Sequence, residues 1–386
     1  MAHPLRGKTA CVGVATAGCG EAPGRNSTEI MAEAVHGALA DAAIPLSQVD
    51  GLFAASAVHS MAAMSLAEHL GIRPAFSDGS NIGGSSFEAH ALMAALALEA
   101  RLCNVAVIAY GSDQRSAGGF RSVSEPMPFE AQYGPRNPIT AYALAASRYL
   151  HQFGATREHL AEVAVAARGW AELNPEAFMR DPIAIEDVLS ARMISDPLGK
   201  LDCCLVTDGG AAMVMTRADR ARDCPRTPVH LLGAAFEHHH RMISEMEDLT
   251  VTAATLSGPR AFEMAGYKPS DMDTLQLYDA FTINTILFLE DLGYCAKGEG
   301  KDFVHGGAIA PGGRIPVNTN GGGLSCVHPG MYGLFVMVEA IRQARGGDGP
   351  REPGGWIDDA KLCLAHGNGG VLSSQVTTVW GAPETV

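Results

Sequence analysis

The 386-residue chain is short of basic residues: 28 lysines and arginines stand against 42 acidic residues, a formal charge of −14. Binding to the phosphate backbone of a nucleic acid needs clustered cations, so the charge argues against that class of partner. The same deficit disfavours an anionic membrane surface. Because no apolar run approaches the ~18 residues that cross a bilayer, no membrane-spanning segment is expected.

Cysteines and common cofactor motifs are scarce as well. Nine cysteines is an odd, low count for this length and is typical of reduced thiols, not of a disulfide framework. Since the amino terminus also lacks the apolar core of a signal peptide, the sequence predicts a cytoplasmic protein. Neither a Walker A loop nor a G-x-G-x-x-G motif is present, which disfavours nucleotide hydrolases and NAD enzymes. The Cys203-Cys204 pair lacks zinc-site spacing, so no metal centre is expected.

What the chain does have is an apolar content of 47% and an alternation of strand-like and helix-like segments. The order of these segments recurs, which predicts an α/β fold with an internal duplication. We place the first half at residues 1–235 and the second at 236–386. Residues 111–155 break the alternation with a Gly-Gly pair and four prolines, so we expect a long loop there, within a covering region of about 111–200.

A Gly-Gly-Ser-Ser sequence at 83–86 precedes a long helix predicted over 85–103. The amino end of a helix presents unpaired N–H groups and a partial positive charge. A serine there either caps the helix or serves a reaction centre, and capping is the commoner use.

Two histidines and a tyrosine stand at similar junctions. Between Asn320 and Gly330, three glycines allow backbone to approach a ligand, and a His-Pro-Gly turn holds His328. His366 ends a buried strand before a Gly-rich turn, a frequent setting for sites in α/β folds. Tyr278 opens a strand-to-helix junction, where a phenol can donate a proton. Packing, capping or a plain turn is the structural alternative for each.

Taken together, these segments resemble the thiolase superfamily, in its sterol-carrier-protein thiolase-like branch of lipid-transfer proteins. The segments that carry the resemblance are residues 157–161, 201–209, 278–281, 320–333 and 366–370. The resemblance implies a duplicated, layered α/β/α/β/α fold with a loop-domain insertion in the first half. It also implies a dimer that binds acyl-coenzyme A thioesters.

Departures from the thiolase pattern bear on the chemistry. The nucleophilic cysteine that thiolases carry before the long helix aligns with Gly83, and their second cysteine aligns with His366. The Asn of the thiolase Asn-Glu-Ala-Phe motif is Tyr278 here, whereas the Gly-His-Pro histidine is kept as His328. Without a thiolate, an acyl-enzyme and Claisen cleavage are not expected.

The remaining phenol and imidazole groups suit retro-aldol cleavage of a β-hydroxyacyl-CoA, as in the thiolase-like aldolases that remove steroid side chains. The resemblance implies that Tyr278 and Tyr332 are the general acid and base, without separating the two roles. His328 and His366 are expected to polarise the thioester oxygen or to assist proton transfer. The residues expected to bind substrate are Ser85, Ser86, Asp279, Gly322, Gly323, Asn368 and Gly369. The same resemblance implies coenzyme A as part of the substrate with no separate cofactor, a homodimer, and an OB-fold partner of the DUF35 type.

Two alternatives stay open. One is a thiolase-type acyltransferase, such as an acetyl-CoA acetyltransferase, with Cys326 or Ser85 as an unusual nucleophile. The other is a non-catalytic acyl-CoA or lipid-binding protein, which the loss of both cysteines would allow. The aromatic residues expected either to line an acyl pocket or to form a small core of their own are Phe120, Phe129, Tyr133 and Tyr142. The sequence does not identify the acyl group of the substrate.

Overall fold

The computed structural model describes residues 3–119, 128–347 and 349–386. The strands in this part of the chain are β1 (Thr9–Gly20), β2 (Gly51–Ala54), β3 (Phe76–Asp78), β4 (Val105–Ser112), β5 (Met193–Ser195), β6 (Leu198–Gly199), β7 (Asp208–Arg217), β8 (Val229–His238), β9 (Thr274–Leu277), β10 (Leu362–Gly369) and β11 (Ser374–Gly381). The α-helices are α1 (Ser27–Ala42), α2 (Ala62–Leu70), α3 (Ser86–Glu99), α4 (Ile139–Phe153), α5 (Arg157–Glu172), α6 (Ile185–Ser190), α7 (Ala218–Ala221), α8 (Ala254–Ala265), α9 (Thr282–Asp291), α10 (Gly300–Val304) and α11 (Gly333–Ala344).

Nine strands form one sheet in the order β3-β2-β4-β7-β1-β8-β11-β10-β9. From the centre outward, β1-β7-β4-β2 and β8-β11-β10-β9 share one pairing scheme: antiparallel, antiparallel, then parallel. The two repeats meet where β1 pairs antiparallel with β8. This duplication agrees with the sequence prediction. Strand β8, however, runs across the expected boundary at 235/236, so the second repeat begins at Val229.

Helices α3 and α11 lie between the two repeats and contact strands of both. Helix α1 covers the outer face of the first repeat, and α8 covers that of the second. The layers therefore follow the predicted α/β/α/β/α order. Helix α11 suits the central layer because it is apolar nearly all round, and every one of its residues except Arg342 is buried.

The covering region contains α4, α5, α6 and the small hairpin of β5 and β6. The expectation of an irregular loop over 111–155 is wrong in part, because α4 occupies its second half. Pro138 is the N-cap of α4, a position where its missing N–H removes no helical hydrogen bond. The proline that suggested a loop thus marks a helix start. Of the four aromatic residues noted there, Phe120 lies outside the described residues.

Among the described residues, none of the helices combines the length and the apolar character that crossing a bilayer requires. In the same part of the chain, histidine, cysteine and acidic side chains nowhere gather in a group of three that could hold a metal ion.

Candidate active site

A cavity of about 540 Å³ lies where the carboxyl ends of β2, β9 and β10 meet the starts of α3, α4 and α11. Its walls come from both repeats: Gly83, Gly84 and Tyr142 from the first, and Tyr278 and His328 from the second. The carboxyl ends of neighbouring parallel strands are a common place for ligands in α/β folds, and β9 and β10 are such a pair.

His328 is held rigidly at the cavity wall. Its backbone N–H donates to Thr207 Oγ1 (3.0 Å), and the Thr207 N–H donates back to the His328 carbonyl (3.3 Å). The Tyr110 hydroxyl donates to the carbonyl of Pro329, the next residue in the turn. Burial lowers the pKa of His328 to about 4, so the imidazole is neutral at pH 7. Its Nε2 has no partner among the described residues and is available to a ligand.

Tyr278 lies edge-on to His328, with ring centroids 5.6 Å apart. Its hydroxyl oxygen accepts the Tyr332 N–H (3.1 Å), which leaves the phenolic proton free to point at a ligand. The ring fits only because residue 84 is glycine: a Cβ there would lie 2.3 to 2.5 Å from the end of the ring. Burial raises the pKa of Tyr278 well above its usual value, so the phenol stays neutral at pH 7 and can donate a hydrogen bond.

Tyr332 lies next to Tyr278, but its hydroxyl faces away from the cavity. The phenol donates to Asn320 Oδ1 (3.0 Å), and this oxygen also accepts the Gly322 N–H (2.8 Å). Tyr332 is not among the described residues that line the cavity. The structure therefore gives its backbone N–H, and not its hydroxyl, direct contact with Tyr278.

The structure does not bring His366 to the cavity wall. Its ring is fully buried against Phe288, and its two nitrogens lie 2.9 Å from Thr377 Oγ1 and from Gln375 Oε1. Because the Gln375 oxygen can only accept, His366 Nε2 carries the proton. Burial lowers the pKa of His366 to about 4. With both nitrogens engaged, His366 has no free position for acid–base work on a ligand.

Asn368, two residues further along β10, does line the cavity. Its Oδ1 accepts from Gln375 Nε2 (2.8 Å), and its Nδ2 donates to the Tyr142 hydroxyl (2.7 Å). His366 is therefore linked to the cavity only indirectly. It contacts Gln375, and Gln375 in turn fixes the orientation of Asn368. Gly369 contacts the carbonyl of Ile82 beneath the wall, and a Cβ there would collide with that oxygen at 2.0 Å.

The two serines expected to bind substrate are buried, and their hydroxyls are engaged within the protein. Ser85 Oγ pairs with Ser374 Oγ at 2.6 Å. Ser86 Oγ donates to the Gly83 carbonyl (2.6 Å) and accepts the Ile82 N–H (2.9 Å), which closes the turn before α3. Neither is among the described residues that line the cavity. Gly83 and Gly84 occupy the wall, so the position of the thiolase nucleophile carries no side chain.

Asp279 and the glycine-rich turn stabilise each other behind the wall. The Asp279 carboxylate accepts N–H groups of Gly323 (2.6 Å) and Leu324 (3.4 Å). A Cβ on Gly322 would lie 2.0 Å from Asp279 Oδ2, so this position requires glycine. Burial raises the pKa of Asp279 to about 7. These residues shape the turn that leads to His328, and the cavity lining does not include their side chains.

Several lining residues were not singled out by motif. His59, in the loop between β2 and α2, and Cys204 both line the cavity. No sequence motif places them near the site, so only the folded structure shows it. Tyr142 was noted only as one aromatic among four, and it packs against Phe281 with ring centroids 4.5 Å apart. Cys326, by contrast, is buried behind the turn with its Sγ 3.6 Å from Asn174 Nδ2.

Comparison with known proteins identifies relatives over most of the chain. A family model described as "Thiolase C-terminal domain-like" matches residues 235–382. The 17-hydroxy-3-oxo-4-pregnene-20-carboxyl-CoA lyase of Mycobacterium tuberculosis is 36% identical over 362 residues, 89% of this chain and 92% of that protein. The steroid side-chain-cleaving aldolase of Thermomonospora curvata is 34% identical over 360 residues, 89% of this chain and 91% of that protein.

Among solved structures, the Ltp2-ChsH2(DUF35) aldolase superposes with a TM-score of 0.89 at 32% identity, and the match covers 98% of each chain. These similarities confirm the superfamily and the duplicated fold that the sequence predicts. The chain belongs to the thiolase superfamily, in the thiolase-like branch that also contains the steroid side-chain aldolases.

Proposed function

We propose that this protein is a carbon–carbon lyase that cleaves a β-hydroxyacyl-CoA thioester by a retro-aldol reaction, without a cysteine nucleophile. One observation carries the proposal: Tyr278 and His328 face one cavity, where the nucleophile position is glycine. The activities for which the two bacterial relatives are named, a carboxyl-CoA lyase and a steroid side-chain-cleaving aldolase, support the same reaction class.

The proposed steps use proton transfer alone. His328 Nε2 accepts the proton of the substrate β-hydroxyl as the Cα–Cβ bond breaks, which leaves a carbonyl on the departing fragment. The electron pair of that bond forms the thioester enolate, whose oxygen accepts a hydrogen bond from the Tyr278 hydroxyl. A proton then returns to Cα from imidazolium or phenol. Because one proton leaves the hydroxyl and one reaches carbon, the balance needs no cofactor besides coenzyme A in the substrate.

We place the acyl group in the cavity of Tyr278 and the coenzyme A portion in a neighbouring one. This second cavity, of about 820 Å³, is lined by Leu144 and Arg148 of α4, whose first turn supplies Tyr142 to the catalytic cavity. Arg148 is the one lysine or arginine among the described lining residues and is the group there that can bind a phosphate, although the carboxyl groups of Glu130, Glu247 and Asp248 share the lining. By analogy with the two named relatives, we propose a steroid side-chain thioester as the substrate class.

Acyl transfer through a thiol has weaker support. Cys204 lines the cavity, but burial raises the pKa of its thiol, so little thiolate is available at pH 7. Incubation with an acyl-CoA and mass spectrometry distinguish the two mechanisms. The lyase forms no covalent acyl adduct, whereas an adduct on Cys204 or Ser85 would indicate acyl transfer.

The test of the lyase is cleavage of β-hydroxyacyl-CoA thioesters by the parent, Tyr278→Phe and His328→Gln. We expect each substitution to lower kcat by about a hundredfold or more. Tyr294→Phe is the matched control, because Tyr294 is a half-buried tyrosine whose buried hydroxyl has no partner among the described residues, and it lies outside the site. Parental rates in both site variants would contradict the assignment, and turnover by the parent would exclude a non-catalytic binding protein.

We further propose an OB-fold partner of the DUF35 type and a homodimer. The solved relative whose name includes ChsH2(DUF35) supports the first. For the second, β3 is the edge strand of the sheet, and α2 and α3 beside β2 expose apolar side chains, including Met64, Met93 and Leu96. Co-purification with a DUF35-type protein tests the partner. Light scattering of the parent and Leu96→Lys tests the dimer, which the lysine should dissociate.

A further inference from the structure

Glu88 is a fully buried carboxyl that the proposed reaction does not use. It lies in the first turn of α3 with 0% of its surface exposed, and neither carboxyl oxygen has a hydrogen-bond partner among the described residues. A leucine or methionine here would avoid the free-energy cost of burying an unpartnered polar group. Ionisable groups kept in such surroundings concentrate at functional sites.

Two glycines provide the room for this carboxyl, and we call the space between them the glycine slot. A Cβ on Gly333 would lie 2.4 Å from Glu88 Oε2. A Cβ on Gly367 would lie 2.4 Å from both Cδ and Oε2 of Glu88. Side chains at either position would collide with the carboxyl. Gly333, the first residue of α11, and Gly367 of β10 therefore have no side chain where the Glu88 carboxyl lies.

The glycine slot adjoins the segments that hold the site. Gly333 follows Tyr332, whose N–H donates to the Tyr278 hydroxyl. The Cβ position of Gly333 is also 2.2 Å from the carbonyl oxygen of Gly84, the residue that packs against the Tyr278 ring. Gly367 precedes Asn368 in the cavity wall. The Glu88 carboxyl thus lies against the backbone of Gly333 and Gly367, and the Gly84 carbonyl borders the same space beside Gly333.

The charge on Glu88 acts on those segments in opposite directions. The amino end of α11 carries unpaired N–H groups and a partial positive charge, which attract a carboxylate. The same carboxylate repels the Gly84 carbonyl oxygen, to which a neutral acid can instead donate. Ionisation therefore strains the two segments that fix the position of the Tyr278 hydroxyl.

We propose that Glu88 is a positioning residue for Tyr278: as a neutral acid in the glycine slot, it keeps the Tyr332 N–H on the Tyr278 hydroxyl, and its ionisation weakens that hydrogen bond. The expected effect of Glu88 on kcat rests on the proposed function, whereas the coupling between Glu88 and Tyr278 does not. The other titratable or charged side chains on α3, α11, β10 and the segments beside them are His90, Glu99, Tyr110, Tyr278, Asp279, Tyr332, Glu339, Arg342, Cys363 and His366.

Burial raises the pKa of Glu88 to about 8, so the neutral acid predominates at pH 7. Burial also raises the pKa values of the three adjoining tyrosines and lowers that of His366 to about 4. Glu88 and Asp279, with pKa values of about 8 and about 7, are therefore the members of this group expected to titrate between about pH 6 and 9.

The experiment follows protein labelled with [¹³Cζ]tyrosine by NMR between about pH 6 and 9, with the Tyr278 signal assigned from its loss in Tyr278→Phe. In the parent we expect this signal to shift with a midpoint near the pKa of Glu88, and kcat to fall along the same curve while KM changes little. In Glu88→Gln the step with a midpoint near pH 8 should be lost from both, and only a response to Asp279 near pH 7 should remain. Glu99→Gln, at the other end of α3, is the matched control and should behave like the parent.

Glu88→Leu separates positioning from packing. We expect kcat about tenfold lower, with a thermal unfolding temperature equal to or above that of the parent, because an unpartnered polar group is removed. A parental pH response of Tyr278 in Glu88→Gln, or a parental kcat in Glu88→Leu, would overturn the proposal. If the parent cleaves no β-hydroxyacyl-CoA while the Tyr278 signal still depends on Glu88, the proposed function fails and the coupling stands.

Discussion

The phenol of Tyr278 occupies space that a side chain at residue 84 would fill. We expect Gly84→Ala to displace the ring and lower kcat by about a hundredfold, because a Cβ would stand 2.3 Å from it. Gly169→Ala in α5 is the control: its Cβ would meet only Pro311 at 3.3 Å, and a small shift of that ring relieves the contact. Steady-state kinetics and thermal melts of both variants provide the measurement. Unchanged kcat in Gly84→Ala would contradict the placement of Tyr278.

The low pKa of His328 predicts how kcat/KM depends on pH in the acid range. Since burial holds this pKa near 4, the imidazole stays neutral and able to accept a proton down to about pH 5. We therefore expect kcat/KM to be constant from about pH 5 to 7 and to fall as the pH drops through 4. Stopped-flow rates measured before acid unfolding test this. An inflection near the ordinary histidine value of about 6.5 would mean that water reaches the ring.

Single residues also show where a motif predicts a site and where it does not. Tyr278 and His328 follow from their motifs, and both line the cavity. His366 occupies a motif position too, yet a neighbouring strand supplies partners for both of its nitrogens. Those partners, Thr377 and Gln375, come from β11 and are not visible in the motif itself. Sequence patterns locate a backbone position well, but the direction of a side chain depends on its neighbours in space.

At the scale of elements, a buried ion pair supports the glycine-rich turn. Arg351 Nη2 lies 2.6 Å from Glu339 Oε2, and both side chains are 2% exposed. Although burial opposes ionisation, Arg351 holds the pKa of Glu339 below its usual value. Arg351 also donates to the carbonyl of Thr319 (3.0 Å), the residue before Asn320. The pair therefore links α11 to the start of the turn.

Removing one partner of this pair should cost more than removing both. We expect Arg351→Met to lower the free energy of unfolding by about 3–5 kcal/mol, because it leaves the Glu339 carboxylate buried and unpaired. Arg351→Met combined with Glu339→Leu should recover part of that loss. Urea unfolding of the parent and both variants gives the three values. Equal destabilisation in the single and double variants would show that the charge is not the cause.

The long helix that the sequence predicts over 85–103 is α3, which begins one residue later and ends four residues earlier. Strand β11, by contrast, has no regular apolar pattern, because buried polar residues interrupt it. Thr377 and Gln375 pair with His366, and Thr378 Oγ1 donates to the Ala365 carbonyl (3.0 Å). Partners across the strand satisfy these groups, so the strand can be buried without an apolar sequence.

Over the whole molecule, the central helices join the two repeats into one unit. Because α3 and α11 each contact strands of both repeats, neither repeat can unfold without exposing the core of the other. We expect urea unfolding followed by near-ultraviolet and far-ultraviolet circular dichroism to give coincident curves. Two separated transitions would show that the repeats are independent domains. The duplication itself was predictable from the recurring order of segments, but the exact join was not, because β8 continues through it.

The backbone around Gly83 leaves no space for a side chain at the position where thiolases carry their nucleophile. Its φ of +86° is in the left-handed region, and a Cβ there would lie 2.6 Å from the nitrogen of Gly370 and 2.8 Å from Gly369 Cα. Main chain, which cannot rotate aside, thus fills the space that a reactive sulfur would need. A cysteine introduced at residue 83 would therefore collide with main chain, so a thiol can occupy this position only if two loops change together.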